Sequence, residues 1–299
     1  MRKKGVIVGV GDSLFSGFNS EYLEGVSSPA PFGNAGQDTV FVYDRWLAAD
    51  LTDRIGTTDI ASPFGWSSLP YRTSNWQYNG PCPLYYVANA IHRFLDLEEL
   101  RVIMMGTPGT DVVQSPPAGN VTVSWYPGIA SNGAYDRFET KHIDEALATG
   151  SITANHIYLG AFASLGNNMN NSEVYTTDET SDLQDNLNLL FSNIEGALLA
   201  PGDTGRQVVT RVPVSVLAVE PTVSLNRIRT CHAQLSGWKG EAFDGSNLRA
   251  TAWLDDIPFI AQGDPHFSAD NSMVMGQRMF KAWLSAAQSD EGDPTVDIA

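Results

Sequence analysis

Lys4-Gly-Val-Ile-Val-Gly-Val-Gly-Asp-Ser-Leu-Phe-Ser-Gly17 is the stretch on which the fold turns. Gly5–Val10 is apolar without alternation, the pattern of a strand covered by helices on both faces. Met-Arg-Lys-Lys before it imitates the opening of a signal peptide. The apolar run stops at Asp12, however, and no small-residue cleavage site precedes it, so a buried strand is the expected reading. No segment of the sequence approaches transmembrane length.

Two chemistries compete for the turn that follows. A dinucleotide fingerprint needs glycines at its first, third and sixth positions. Counted from Gly9, the third is Gly11 but the sixth is Leu14, and no uninterrupted helix clearly follows. The other reading is a nucleophile turn. A serine hydroxyl needs a base to take its proton and an open position at a strand end. Ser13 has the second by sequence, with Gly11 permitting tight backbone and the Ser13 amide able to face a developing oxyanion.

Outward from this turn, short apolar runs alternate with longer amphipathic ones. Strands are predicted at Gly5–Val10, Leu100–Met105, Asn155–Gly160, Val208–Val219 and Leu248–Leu254. Helices are predicted at Gln37–Leu51, Leu84–Glu99, Phe138–Thr149, Ser181–Leu199, Ser224–Trp238 and Ser268–Ala287. Such alternation implies a doubly wound α/β domain with a parallel sheet, and ligands then bind at the carboxyl ends of the strands. Two connections are long enough to suggest function. Thr52–Pro83 carries Trp66, Tyr71, Trp76 and Tyr78; Asp111–Arg137 carries Trp125, Tyr126 and Tyr135. With neither repeat nor linker, residues 1–287 are expected to form a single domain, and the acidic tail 288–299 is expected to fray.

The composition limits the partners. The 299 residues are 42% hydrophobic and 17% charged, which supports a substantial core. A net charge of −16 repels phosphate backbones and anionic membranes, so neither nucleic acid nor membrane is an expected partner. Cys82 and Cys231 stand far apart with no CxxC spacing, which suggests neither a zinc site nor a disulfide framework. No cofactor and no metal are expected, since a metal-dependent hydrolase built on His266 would lack a second histidine at ligand spacing.

A base for Ser13 must come from five histidines. His92 and His142 lie in helix-like stretches, His156 opens a strand, and His232 is a minor candidate. His266 sits in Gly263-Asp-Pro-His-Phe-Ser268, a loop just before the last predicted helix. Histidine can take the serine proton and return it to the leaving alkoxide, while a carboxylate fixes its tautomer. Asp264 is two residues away. The plainer alternative is that Asp264 or Ser268 caps the helix and His266 is a loop residue.

Gly11-Asp-Ser-Leu-Phe-Ser-Gly17 resembles the first block of the GDSL or SGNH hydrolases, serine esterases and lipases. The resemblance implies a flavodoxin-like, three-layer α/β/α fold with a mostly parallel central sheet, here with long insertions at the active-site edge. It is closest to the sialate O-acetylesterase-like branch of carbohydrate acetylesterases, whose last block often continues His-Phe. The family carries Asp-x-x-His there, whereas this chain has Asp-x-His. That places His266 as the base and leaves the orienting group open between Asp264, another carboxylate and a backbone carbonyl.

The same resemblance implies an oxyanion hole made from the Ser13 amide, a glycine amide after the second core strand and an asparagine after the third. Gly106-Thr-Pro-Gly-Thr-Asp111 is similar to the family's Gly-Gly-Thr-Ser element and matches Gly109 to the donor glycine, although an ordinary Pro-Gly turn would look alike. The family's Gly-x-Asn-Asp would place the asparagine at Phe162. Asn167 or Asn168, further along Ala161-Phe-Ala-Ser-Leu-Gly-Asn-Asn168, could reach back instead.

The expected activity is therefore hydrolysis of a small acyl ester, above all acetyl, from a carbohydrate, with Trp66, Trp76 and Trp125 stacking on sugar rings. Simple loop packing is the competing role for each tryptophan. A glycan-binding or structural module on the same fold, with weakened chemistry, is the rival function. Cytoplasm is the default location, and a virion component such as a phage tail protein is the alternative. Oligomeric state is not legible.

Overall fold

The structure is a computed structural model. It describes residues 3–12, 15, 40–44, 66–68, 83–106, 110–114, 124–129, 133–148, 150, 152–166, 183–198, 211–214 and 269–288. Among these residues six strands form one sheet: β1 (Lys4–Gly11), β2 (Val40–Asp44), β3 (Trp66–Ser68), β4 (Glu99–Gly106), β5 (His156–Ser164) and β6 (Arg211–Val214). Their spatial order is β3-β2-β4-β1-β5-β6, and every pair is parallel except β2 with β3.

Helices cover both faces, as the unbroken apolar run of β1 requires. Val6, Val8 and Val10 belong to a core with α2 (Ala134–Phe138), α3 (Asp144–Ala148) and α4 (Leu183–Leu198). A π-helical turn, Glu139–Ile143, joins α2 to α3. Ile7 belongs to the other core, with α1 (Pro83–Phe94) and α5 (Ala269–Gln288). The α1/α5 face of β1 is otherwise glycine. A Cβ at Gly9 would collide with Leu84 and Phe15, and one at Gly5 would stand 2.5 Å from Leu159. Helix α1 thus packs directly on the backbone of β1.

Two elements differ from expectation. The helix predicted at Gln37–Leu51 is replaced at its centre by strand β2. Val40, Phe41, Val42 and Tyr43 are β-branched or aromatic, and pairing beside β4 outweighs the helical spacing of the flanks. The long Thr52–Pro83 connection contains β3, an antiparallel edge strand with Trp66 opposite Tyr43. Helix α1 also ends earlier than predicted. Leu97 N–H donates to the carbonyl of His92 at 3.1 Å and Asp96 N–H to that of Arg93 at 3.3 Å, with Asp96 at φ 46. This left-handed cap frees Glu99 to begin β4. The expected strand Leu248–Leu254, the helix Ser224–Trp238 and the acidic tail lie outside the described residues.

Strand β5 contains a bulge. Val6 pairs with Tyr158 but Ile7 with Gly160, so Leu159 is the extra residue and Gly160 takes φ 128. The insertion shifts the facing of every later residue by one, which puts Ala161 and Ala163 in the α2–α4 core and Phe162 in the α1/α5 core. Gly160→Ala should cost about 1–3 kcal/mol, because a side chain is strained at that φ. Urea unfolding of the two proteins checks it, and a difference below about 0.5 kcal/mol would contradict the strain argument.

The amino edge of the sheet carries a charged cluster. Glu99 Oε1 accepts from Arg101 Nε at 2.6 Å and from His156 Nε2 at 3.0 Å, while Lys4 Nζ lies 3.6 Å from Oε2. His156 Nδ1 accepts the Thr153 amide at 3.1 Å, which leaves the ring proton on Nε2, facing Glu99. Burial pushes the Glu99 carboxyl up, but the hydrogen bonds from Arg101 and His156 and the positive charges of Arg101 and Lys4 outweigh it, leaving a net lowering. A carboxylate lowered on folding stabilises the protein above its unfolded pKa, and that contribution vanishes as pH falls through the folded value. The stability advantage of the wild type over Glu99→Gln should accordingly be constant above about pH 5 and shrink below it. Denaturation midpoints of both proteins from pH 7 to pH 3 test this; an advantage independent of pH would refute it.

Candidate active site

The first core strands run out of β1 toward β4 on one side and β5 on the other, which makes the β1/β5 boundary the topological switch point of the sheet. The strand ends there are level. Gly11 is the register partner of both Gly106 at the end of β4 and Ser164 at the end of β5. Asp12 N–H continues the ladder by donating to the Ser164 carbonyl at 3.1 Å, and Asp12 is fully buried. Phe15 is also fully buried and already lies back against Gly9 and Gly11, on the α1/α5 face. Two fixed residues therefore bracket Ser13 and Leu14, which themselves lie outside the described residues. Gly11 is required here, since any Cβ would collide with the Cβ of Phe15.

The second exit is that of β4. Thr107–Gly109 lie outside the described residues, but both flanks are held. Gly106 is in the ladder, and Thr110 is 1% exposed, its Oγ1 accepting the Trp125 indole N–H at 3.0 Å. Trp125 is fully buried, packs edge-on to Phe138 with centroids 5.7 Å apart, and donates its own amide to the Asp111 carbonyl at 2.7 Å. Its faces are covered by protein, so loop packing, and not sugar stacking, is the role this geometry gives it. Tyr135, from the same connection, is likewise in the core, where burial and the nearby charge of Glu139 push its phenol up and keep it neutral. Trp66 is on β3, three strand positions or roughly 14 Å from β1. Trp76 lies outside the described residues.

The third exit, that of β5, comes later than the sequence suggested. The strand continues through Ala161-Phe-Ala-Ser164, and Phe162, where the resemblance would put an asparagine, is a fully buried core residue. The residue level with Gly11 is Ser164, also fully buried, whose hydroxyl makes no hydrogen bond among the described residues. Leu165 and Gly166 follow, and Asn167 lies just outside the described residues.

Helix directions sort the histidines. Leu84, at the start of α1, reaches Gly9, whereas Leu97, just after its end, reaches Gly5. Glu98 N–H donates to the Lys3 carbonyl at 2.9 Å, which puts the end of α1 at the amino edge. Helix α5 runs alongside in the same direction. Gly276 abuts Pro83 and Tyr86, while Phe280 and Trp283 meet Phe94 at centroid separations of 5.9 and 6.4 Å. Ala269–Met275 therefore extends past the start of α1 toward the carboxyl edge, and His266 precedes Ala269 by only three residues. By contrast, His156 pairs with Lys4, and His92 lies in the last turn of α1. Both are at the amino edge, roughly 20 Å along the sheet from Gly11. His142 is buried against Phe138 in the π-helical turn. His232, Asp264 and His266 lie outside the described residues.

No protein-family model and no curated protein matches the chain. Solved structures do. A protein from Arabidopsis thaliana superposes with TM-score 0.60 at 12% identity, covering 95% of this chain and 99% of that one. NanS gives TM-score 0.61 at 9% identity, over 95% and 97%. XAC1771, described as a novel carbohydrate acetylesterase from Xanthomonas citri, gives 0.56 at 10% identity, over 95% of this chain and 56% of that one. At such identities the likeness concerns architecture. With its mostly parallel sheet, helices on both faces and strand exits level at one edge, the chain has the same α/β fold as these structures.

Proposed function

We propose that the protein is a serine esterase that removes small acyl groups, above all acetyl, from a carbohydrate. The observation that carries this reading is the exit of β1. Asp12 is pinned to β5 and Phe15 to the underside of β1, which fixes both flanks of a two-residue stretch at the switch point of the sheet. Ser13 is one of those two residues. The start of α5 at the same edge supports His266 as its partner, and the positions of His92 and His156 at the opposite edge remove two competitors.

In this mechanism His266 accepts the Ser13 proton as Oγ attacks the acetyl carbonyl carbon. The carbonyl π pair moves onto oxygen, and the amides of Ser13 and Gly109 with the Asn167 side chain receive the resulting oxyanion. On collapse the bond to the sugar oxygen breaks, and the imidazolium gives that oxygen its proton. Water then attacks acetyl-Ser13 with His266 again as base, releasing acetate and free serine. Asp264 holds the imidazole tautomer. The description of XAC1771 as a carbohydrate acetylesterase supports the choice of substrate.

Turnover of 4-nitrophenyl acetate, followed by acetate release from an acetylated polysaccharide, tests the reading. Release of acetate from the polysaccharide is the expected result, and absence of turnover on both substrates would sink it. One observation favours a second reading, a glycan-binding module with weakened chemistry. Phe162 fills the position of the expected asparagine, and loss of one oxyanion donor costs about 3 kcal/mol of barrier, roughly a hundredfold in rate. Sugar binding without turnover would favour that module.

A further inference from the structure

We propose that His156 and Thr153 form a proton-operated switch in the turn leading into β5, the Thr153 amide serving the neutral ring and the Thr153 hydroxyl the charged one. Such a switch belongs to the amino edge of the sheet, away from the chemistry read for Ser13. His156 is 3% exposed, and Lys4 is the register partner both of His156 and of Glu99. His156 and Glu99 are therefore two strands apart, and their side chains meet over the backbone of β1, Nε2 to Oε1 at 3.0 Å. All three residues are on the α2–α4 face, since Val6, Ile103 and Tyr158, each an even number of positions later, lie in that core.

The other ring nitrogen meets one residue twice. Nδ1 accepts the Thr153 amide N–H at 3.1 Å, and the Thr153 hydroxyl oxygen stands 3.3 Å from the same atom. A neutral imidazole has one lone pair to offer there, and the amide uses it. An imidazolium has none. Nδ1 then carries a proton, the amide must leave, and an acceptor is required in its place. The Thr153 hydroxyl oxygen supplies it without a large movement, even while it accepts the Asn155 amide at 3.3 Å. Thr153 is exposed, so its released N–H passes to water.

The charges around the ring leave its other end undisturbed. Lys4 Nζ lies 3.6 Å from Glu99 Oε2 and 3.8 Å from Glu98 Oε1, and Arg101 Nε donates to Glu99 Oε1 at 2.6 Å. Burial raises the Glu99 carboxyl, but the hydrogen bonds from Arg101 and His156 and the charges of Arg101 and Lys4 leave it lowered. Glu99 thus stays ionised through the range in which histidines gain their proton, about pH 6 to 7, and Nε2 keeps its acceptor while Nδ1 changes partner. Helix α4 lies in sequence between the parallel neighbours β5 and β6 and so runs back toward this edge, bringing Glu195 with it. Helix α3, shortly before the turn, carries Asp144 and Glu145.

Hydrogen exchange at the Thr153 amide reads the switch directly. Between about pH 8 and about pH 5 its protection should fall at least about fivefold in the wild type, in step with the imidazole nitrogen resonances of His156. In His156→Gln the side-chain oxygen can accept the Thr153 N–H and the side-chain nitrogen can donate to Glu99, with no proton to gain. Its protection should stay constant within about twofold over the same range, which separates the ring from the carboxylates near it. Thr153→Val keeps the amide but lacks the oxygen that receives the charged ring, so the Nδ1 proton signal seen in the wild type at about pH 5 should be lost to exchange with water, whereas Thr153→Ser should retain it. Should His156→Gln fold poorly, the two Thr153 variants, at an exposed position, carry the test alone. Wild-type protection that does not change with pH, an equal fall in His156→Gln, or an Nδ1 proton signal that survives in Thr153→Val would overturn the switch.

Discussion

Ser13→Ala should lower kcat for 4-nitrophenyl acetate by about 10⁴-fold or more, leaving the fold intact. The size follows from what is lost. Without Oγ there is no acyl-enzyme, and the remaining donors can assist only direct attack by water, a much harder step. The structural cost should be small, because the neighbours that shape the turn are anchored by other atoms. Asp12 is held through its backbone N–H and Phe15 through its ring. Unfolding curves should therefore superimpose within about 0.5 kcal/mol. Mass spectrometry after rapid mixing with substrate should find an acetylated wild type and an unmodified variant. A Ser13→Ala protein keeping more than about a tenth of wild-type kcat would remove Ser13 from the mechanism.

The largest loss of stability is expected at Trp283. Its ring is fully buried between α1 and the sheet, stacked on Phe280 and edge-on to Phe94. Its indole N–H donates to the Leu159 carbonyl at 2.7 Å, at the residue that forms the bulge. Trp283→Ala removes a large apolar surface, leaves a cavity and strands a buried carbonyl, for a cost of about 3–5 kcal/mol. Trp283→Phe keeps most of the packing and should cost about 1–2 kcal/mol, chiefly from the lost hydrogen bond. Urea midpoints at constant slope measure both. An alanine variant less than about 1.5 kcal/mol below wild type would mean that α5 is held elsewhere.

How much was legible depended on whether a feature is local. The strand Gly5–Val10 and its end before Asp12 are set by consecutive residues, and both are where the pattern put them. The helices at Leu183–Leu198 and Ala269–Gln288 likewise follow their own periodicity. Strand β2 was hidden because Val40–Asp44 carries too few residues to outweigh its helical flanks, and its partner β4 is far along the chain. The length of β5 was hidden by Gly160. A glycine before Ala161-Phe-Ala reads as the end of a strand, whereas the bulge lets the chain continue to Ser164. The family's Gly-x-Asn-Asp, laid on Gly160, therefore falls at Phe162, which is inside the strand. Trp125 was misread for a different reason. An aromatic residue amid polar loop residues has the same sequence signature whether it faces a ligand or a core, and its burial against Phe138 distinguishes the two.

The position of β1 between β4 and β5 also has a consequence for biosynthesis. The strand is translated first and finds its neighbours only when Glu99–Gly106 and then His156–Ser164 have been added. At ribosomal speeds of about 5–20 residues per second, the wait for β5 is on the order of ten seconds. During it, an apolar segment without proline or internal charge has no native partner, the kind of sequence that pairs with copies of itself. Lys3 and Lys4 at its start and Asp12 at its end then act as gatekeepers. The glycines that later admit α1 and Phe15 also lower its β-propensity while it waits.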